Sequence, residues 1–300
     1  MGIDEVLANF RNFDLLRAYF PRKARVTKKH EEGAFNVYEF RVGTWKNFAR
    51  LIVRKRYENA LFPRHWQLKK PAIRKGRKLS EDNPSNELHV GKHLFVLREP
   101  TALPQRAKHR LSEEYAKVLK AGVRFEQPVA VLEYTIGSQG RYASPVLITR
   151  KQRGLSALAD STHLLGDTKL VSKMVKGVLF ELGKMHGAGV THGHLHWDNI
   201  LVNPQGNVRL IDPKLLGLSA MYERELTTKT QHNSHIIDEF EALTTKRELG
   251  DMMQFALTMT RHVPKGHWKE IAAEYKRGKE LGKKRVEKWE EKERSKLTRK

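Results

Sequence analysis

The 300-residue sequence contains no cysteine. That excludes disulfides, thiolate zinc sites and cysteine nucleophiles, and it fits a reducing compartment. No run approaches the roughly 20 apolar residues that a membrane-spanning helix needs. A mean hydropathy of −0.62 and 30% charged residues point the same way. The opening MGIDEVLANFRNFDLL has neither a basic n-region nor an apolar h-region, so no secretory signal is read there. Acidic residues are scarce: 34 Asp and Glu face 57 Lys and Arg, a formal net charge of +23. Nucleic-acid motifs are missing too, with no zinc-finger spacing, no aromatic RNP-type strand and no well-placed G-x-x-G loop. A hydrophobic content of 39% with five tryptophans excludes a disordered chain. The length allows one large domain or two lobes.

The positive charge is unevenly spread. From Arg54 to Leu79 the chain carries a net +9, and from Glu274 to Lys300 a net +6, together 15 of the 23 charges. A pI near 10.1 suits a polyanionic partner: nucleic acid, an anionic membrane surface or a phosphorylated substrate. The plainer reading is a solvated loop and a solvated basic tail helix.

Hydrophobic periodicity orders the chain into a strand-rich half and a helical half. Leu7, Phe10, Phe13, Leu16 and Tyr19 suggest an N-terminal helix. Residues 36–42 and 48–54 read as a β-hairpin around Gly43-Thr-Trp-Lys-Asn47. Residues 55–88, basic and holding Pro63, Pro71 and Pro84, read as an insertion or long loop. A strand at 93–98, a helix at 105–121 and strands at 128–134 and 145–149 follow. Asp167 or Thr168 then caps a helix whose stripe is Val171, Met174, Val175, Val178, Leu179, Leu182 and Met185. After Gly217 the chain reads as mainly helical. The expectation is an α+β chain, with a β-rich N-terminal lobe over 1–150 and a helical C-terminal lobe over 151–300.

The stretch that carries chemistry is His192-Gly-His-Leu-His-Trp-Asp-Asn-Ile-Leu-Val202, followed by Asn203 to Lys214. Ile200-Leu-Val202 and Val208–Ile211 flank a turn at Pro204-Gln-Gly206, which makes a hairpin with Asn199 at one outer end and Asp212 at the other. An antiparallel hairpin brings those ends together. A carboxamide and a carboxylate side by side offer hard oxygen ligands, suited to Mg²⁺ held with phosphates.

This stretch resembles the catalytic and metal loops of the protein-kinase-like fold. The small-molecule branch is nearest: aminoglycoside and choline-type phosphotransferases and lipopolysaccharide-core sugar kinases. Those show H-G-D-L-H-x-x-N-I-L, a short hairpin, then I-D. Here the pattern reads H-G-H-L-H-W-D-N-I-L and closes on Ile211-Asp-Pro-Lys214. The helix over 168–186 resembles the one leading into the catalytic loop, and the strand and helix within 93–121 resemble a small-lobe strand and its following helix. Residues 144–150 and 155–158 resemble the strand and hinge exit of the lipopolysaccharide kinases.

The resemblance implies roles. Asn199 and Asp212 would hold Mg²⁺ on the phosphates of ATP. His192 would pack beneath the loop, and Asp251 would be a structural helix residue behind it. His194 occupies the position of the catalytic aspartate, which receives the substrate hydroxyl proton. A neutral histidine can accept a proton near pH 7, yet it carries no permanent negative charge. The histidines at 186, 192, 194 and 196 also raise a zinc reading, but no Cys or carboxylate completes a familiar ligand spacing. Arg98 stands where a phosphate-binding Lys is expected, sixteen residues before Glu114, its candidate partner. Lys55 is the alternative, and arginine is not a simple substitute for lysine. Gly43 would belong to the phosphate-covering turn.

The function expected on this resemblance is ATP- and Mg²⁺-dependent phosphoryl transfer to a sugar, lipopolysaccharide-core or other small-molecule hydroxyl. One alternative is a kinase fold that has lost transfer and binds nucleotide or a partner. Another is a basic nucleic-acid-binding protein built on the same scaffold. Residues 54–79 and 274–300 would select an anionic partner. The expected place is the cytoplasm, or its membrane face if those segments dock there.

Overall fold

A computed structural model describes residues 25–42, 47–61, 73–78, 85–90, 93–98, 111–136, 141–212 and 234–298. The N-terminal helix and the Gly43 turn expected from the sequence lie outside the described residues. The chain divides into two compact units, one of residues 1–113 and 127–151, the other of residues 114–126 and 152–300.

The first unit holds an eight-stranded antiparallel sheet in the order β1-β2-β3-β7-β8-β6-β5-β4. Its strands are β1 Arg25–Glu32, β2 Phe35–Val42, β3 Asn47–Arg54, β4 Ile73–Lys78, β5 Ser85–Val90, β6 His93–Arg98, β7 Gln127–Ile136 and β8 Arg141–Arg150. β2 and β3 pair in the register of the expected hairpin, from Phe35 with Arg54 to Val42 with Asn47. Three successive residues of β3, Leu51, Ile52 and Val53, are buried, as are Val129 to Glu133 of β7. Such unbroken buried runs mark strands covered on both faces, which is why they read as apolar rather than alternating.

The 55–88 stretch is not the loop its composition suggested. It contains a short helix, α1 (Lys55–Leu61), and the strands β4 and β5. Periodicity misses β4 because its sequence, IRKGRK, has no apolar alternation. β4 is the edge of the sheet, and four cations on an edge discourage pairing with another chain. α1 packs back through Tyr57, whose ring meets Phe95 edge-on at 5.4 Å. Its Glu58 is buried and accepts hydrogen bonds from Asn36 and Tyr38.

The second unit begins in the helix α2 (Leu111–Lys120), whose start falls later than the sequence suggested. Its centre is α3 (Thr168–Gly187), and all seven residues of the expected stripe are at most 1% exposed. Asp167 caps it, its carboxylate accepting from the Lys169 and Leu170 amides at 2.9 and 3.0 Å. Asp167→Ala is expected to cost about 1 kcal/mol, measured by denaturant unfolding against the wild type.

Among the described residues the unit holds three further α-helices: α4 (Ser234–Glu241), α5 (Lys246–Met259) and α6 (Trp268–Leu297). α6 contains the C-terminal charge cluster, but it is not an appendage. Trp268, Ile271, Ala272, Tyr275 and Val286 are buried along one side. Lys and Glu fill the other positions and mask that stripe in the composition. No described helix is long and apolar enough to cross a membrane.

Candidate functional site

The hairpin at 200–210 is short and tightly framed. β10 (Ile200–Val202) and β11 (Val208–Leu210) pair as Ile200–Leu210, Leu201–Arg209 and Val202–Val208. The turn closes because the Asn203 side chain accepts from the Gln205 and Asn207 amides at 3.1 and 2.9 Å. Gly206 adopts φ +75°, and a Cβ there would lie 2.7 Å from Leu170. Only glycine meets both demands without strain. β9 (Ser156–Ala157) lines the free side of β10, with Leu201 opposite Ala157.

Pairing continues one step beyond the strands. The Ile211 amide donates to the Asn199 carbonyl at 2.9 Å, which sets Ile211 opposite Asn199 and Asp212 one residue beyond it at the open end. Asn199 is 4% exposed. Its carboxamide nitrogen faces three acceptors: the His194 carbonyl at 2.8 Å, His194 Nδ1 at 3.1 Å and His196 Nε2 at 3.0 Å. Two protons cannot serve three acceptors, but all three hold the nitrogen toward the loop. The amide oxygen is the atom left to serve as a ligand. Asp212 is the one described non-glycine residue with positive φ, +54°. An Asn oxygen and an Asp carboxylate at one hairpin end fit a hard divalent cation carrying phosphates.

Beneath the loop lies a buried polar network. Asp251, on α5, accepts the Gly193 amide at 2.9 Å and the His192 amide at 2.5 Å. It also accepts from His186 Nε2 at 3.0 Å, and His186 Nδ1 in turn receives the Tyr275 hydroxyl at 2.7 Å. Burial pushes the Asp251 carboxyl up. The hydrogen bonds it accepts from His186 and from the His192 amide outweigh this and hold it below its ordinary range. Burial also raises the Tyr275 phenol.

His192 is fully buried and donates from Nε2 to the Ile211 carbonyl at 3.0 Å, while its Nδ1 has no hydrogen-bond partner. Burial is the main reason its pKa is lowered, against the opposing pull of Asp251 and Asp212. A neutral imidazole with its proton on Nε2 satisfies that geometry.

His194 is half-buried, and its ring meets that of His196 edge-on at 4.2 Å. His196 is tied to Asp198 at 3.0 Å. Trp197 anchors the outside of the loop, its indole donating to Thr258 at 2.7 Å.

The other residues singled out in the sequence lie elsewhere. Lys55 opens α1 and ion-pairs with Glu31 in the first unit. Arg98 ends β6, its backbone in register with Ser85 and Leu147. Glu114 is half-buried on α2 and belongs to the second unit. Sequence reading passed over two residues. Arg50 sits in the middle of β3, its side chain 12% exposed and 2.8 Å from Glu32. A cation inside an apolar strand was the available signal. Glu126, 2% exposed, receives the Asp212 amide at 3.2 Å. It belongs to no motif.

No protein-family model matches the chain, and no curated protein sequence does either. Among solved structures the chain is similar to WaaP in complex with acyl carrier protein. The identity is 17% and the TM-score 0.50, over 83% of this chain and 99% of that one. That likeness gives the chain a kinase-like fold, with an antiparallel β-sheet unit and a helical unit. In that kinase-like frame, the β-sheet unit and the helical unit follow the order that the strand-to-helix shift in the sequence suggested. The hairpin with Asn199 and Asp212 belongs to the helical unit.

Proposed function

We propose that this chain is an ATP-dependent phosphotransferase acting on a hydroxyl of a sugar, lipopolysaccharide-core or other small-molecule acceptor. The observation that carries the reading is the bond from the Ile211 amide to the Asn199 carbonyl at 2.9 Å, which returns the chain to the Asn199 end of the hairpin one residue before Asp212. Asn199 and Asp212 would hold Mg²⁺ there, and the ion would supply charge neutralisation for the nucleotide phosphates. The protein's own part is positional. The His194 carbonyl orients the Asn199 carboxamide. His192 holds the Ile211 carbonyl from below, and Asp251 holds the amides of residues 192 and 193. His194, at the position where the resemblance expects the catalytic aspartate, would bind the acceptor hydroxyl and take its proton as a neutral base.

A second reading has a specific observation in its favour. His194 lacks the fixed negative charge of an aspartate, and its ring is engaged with Asn199 and His196. That arrangement suits a nucleotide-binding protein without transfer activity.

Two measurements separate these readings. Thermal unfolding with ATP and Mg²⁺ is expected to show stabilisation of about 2.7 kcal/mol at a hundredfold excess over Kd. The shift should need Mg²⁺ and disappear in Asp212→Ala. Absence of any shift in the wild type would end both readings. Transfer from labelled ATP then compares wild type, His194→Ala and His194→Asp. Loss of an existing activity in the alanine variant makes the histidine a working base. Gain of activity in the aspartate variant over an inert wild type marks a fold that has lost transfer.

A further inference from the structure

We infer that Glu126 is a positioning residue that sets the backbone of Asp212 and couples it to helix α2. The role rests on reading Asp212 as a ligand of the metal–phosphate site.

The residues 124–126 run alongside β11 as a short parallel partner, with Phe125 bridged to Leu210. Leu210 donates to the Arg124 carbonyl at 3.0 Å, and the Glu126 amide donates to the Leu210 carbonyl at 3.0 Å. Arg209 adds a bond from its guanidinium to the Phe125 carbonyl at 2.8 Å. In a regular parallel ladder the next bond would run from the Asp212 amide to the Glu126 carbonyl. Asp212 has turned out of the strand, at φ +54°, and its amide meets the Glu126 carboxylate oxygen instead, at 3.2 Å. The side chain thus takes over the ladder at the residue where the chain departs from it.

That departure has a cost. A left-handed non-glycine residue lies above its relaxed backbone and persists only where its surroundings over-determine it. Aspartate tolerates the conformation better than most residues. Two neighbours hold it here: Asn199 through the Ile211 amide, and Glu126 through the Asp212 amide. A carboxylate accepting a backbone N–H is among the stronger such bonds. Glu126 is 2% exposed, so water does not compete for the carboxylate.

The same oxygen, Oε1, also accepts the Tyr115 hydroxyl at 2.5 Å. Tyr115 lies on α2, is 2% exposed and packs against Phe125 at 5.4 Å between ring centroids. A shift of α2 that withdraws Tyr115 therefore alters the group that holds Asp212. Glu126 orients a ligand without itself touching phosphate.

The test compares Glu126→Met, which keeps length but removes the acceptor, with Glu126→Gln, which keeps an uncharged one. Amide exchange resolved to the Asp212 N–H is read without nucleotide. Exchange is expected to quicken in the order wild type, Gln, Met, with the Met variant about tenfold faster, the scale of one charge-assisted hydrogen bond. Half-saturating Mg²⁺ for ATP-induced stabilisation should rise in the same order. Glu248→Gln, another buried carboxylate on α5, should leave Asp212 exchange unchanged. If Glu126→Met does not fold, the difference between Glu126→Gln and Glu248→Gln decides. Equal Asp212 exchange in wild type and the Glu126 variants overturns the inference, whatever the nucleotide does. A wild type that never binds Mg²⁺–ATP overturns the proposed function, while the exchange measurement still decides whether Glu126 holds the loop.

Discussion

Replacing Gly187 by alanine is expected to destabilise the helical unit by 3 kcal/mol or more, at or above the top of the about 1–3 kcal/mol usual for overpacking. α3 and α6 meet along glycines spaced four apart on each helix: Gly183 and Gly187 on one, Gly278 and Gly282 on the other. A Cβ at Gly187 would sit 2.0 Å from the Lys279 carbonyl oxygen, and one at Gly282 2.1 Å from that of Lys184. At Gly183 and Gly278 the clashes are with the Tyr275 and Phe180 carbonyls, at 2.3 and 2.2 Å. These contacts are with backbone, which no rotamer change relieves. The helices would have to separate along a seam flanked by Leu182, Met185, Ile271 and Tyr275, all fully buried. Intrinsic propensity predicts the opposite sign, since glycine to alanine inside a helix gains about 1 kcal/mol. Gly177 is the control on the same helix. A Cβ there would meet only the tip of Val208, at 3.0 Å, and side chains can yield. Thermal unfolding should place Gly187→Ala roughly 6–12 °C below the wild type, at 2–4 °C per kcal/mol for a unit of this size. Gly177→Ala should stay within a few degrees. A Gly187→Ala protein more stable than wild type would refute the close packing.

Those glycines also mark the limit of periodicity. The α3 stripe was legible because all its members are large and apolar at helical spacing, and the short hairpin because Ile200-Leu-Val202 and the mainly apolar run Val208–Ile211 bracket an Asn-Pro-Gln-Gly turn. Gly187 is the last residue of α3. Its closer purpose, admitting the backbone of α6, depends on a partner more than 90 residues away and leaves no local trace. The same holds for α6 as a whole. Its Lys and Glu outnumber its apolar residues, so composition suggested a solvated tail, while Trp268 and Tyr275 were enough to bury one side. β4 was missed for the reverse reason, being an edge strand without an apolar face. Of the candidate site, the return of Ile211 and Asp212 to the Asn199 end of the hairpin followed from hairpin arithmetic. Glu126 did not, because its link to Asp212 spans 86 residues and passes through a side chain that replaces a ladder bond.

The basic character now divides by context. Lys184, 4% exposed, is spent inside the helical unit on Glu181 and the Gly122 carbonyl, at 2.6 and 2.7 Å. Burial lowers its pKa despite the pairing with Glu181. Arg285 reaches the Ala121 carbonyl at 3.2 Å, and Lys120 lies over the Trp289 ring. Buried Lys184 is therefore not available to a polyanion, whereas Arg285 and Lys120, which close the end of α2 against α6, remain exposed. Exposed cations of α6 such as Lys276, Lys284 and Lys288 are the ones a partner would meet.

Asp251→Ala is expected to destabilise the helical unit by about 3–5 kcal/mol, the range for removing one partner of a buried ionic pair. The carboxylate serves three donors at once: the His192 and Gly193 amides and His186. Alanine leaves all three buried without that acceptor. Asn does not repair the loss, because its amide group turns a donor toward another donor. The pH profile carries an independent signature. His192 is held neutral below its ordinary value of 6.5, so as pH falls past that value the unfolded chain binds a proton the folded one refuses. Stability then declines by up to about 1.4 kcal/mol per pH unit on its account. Asp251 is held below its ordinary value of 3.8, so its contribution is present above that value and is lost as pH falls through its depressed folded pKa. His192→Phe should lower stability at pH 8 through loss of the Ile211 bond, yet flatten the decline between pH 6.5 and 5 relative to wild type. Asp251→Ala should retain the His192 decline and lose the steeper fall below pH 3.8. Denaturant unfolding across pH reads both slopes. A His192→Phe profile parallel to the wild type would mean that the buried imidazole takes up its proton freely, and the loop would then not be held from below by a neutral ring.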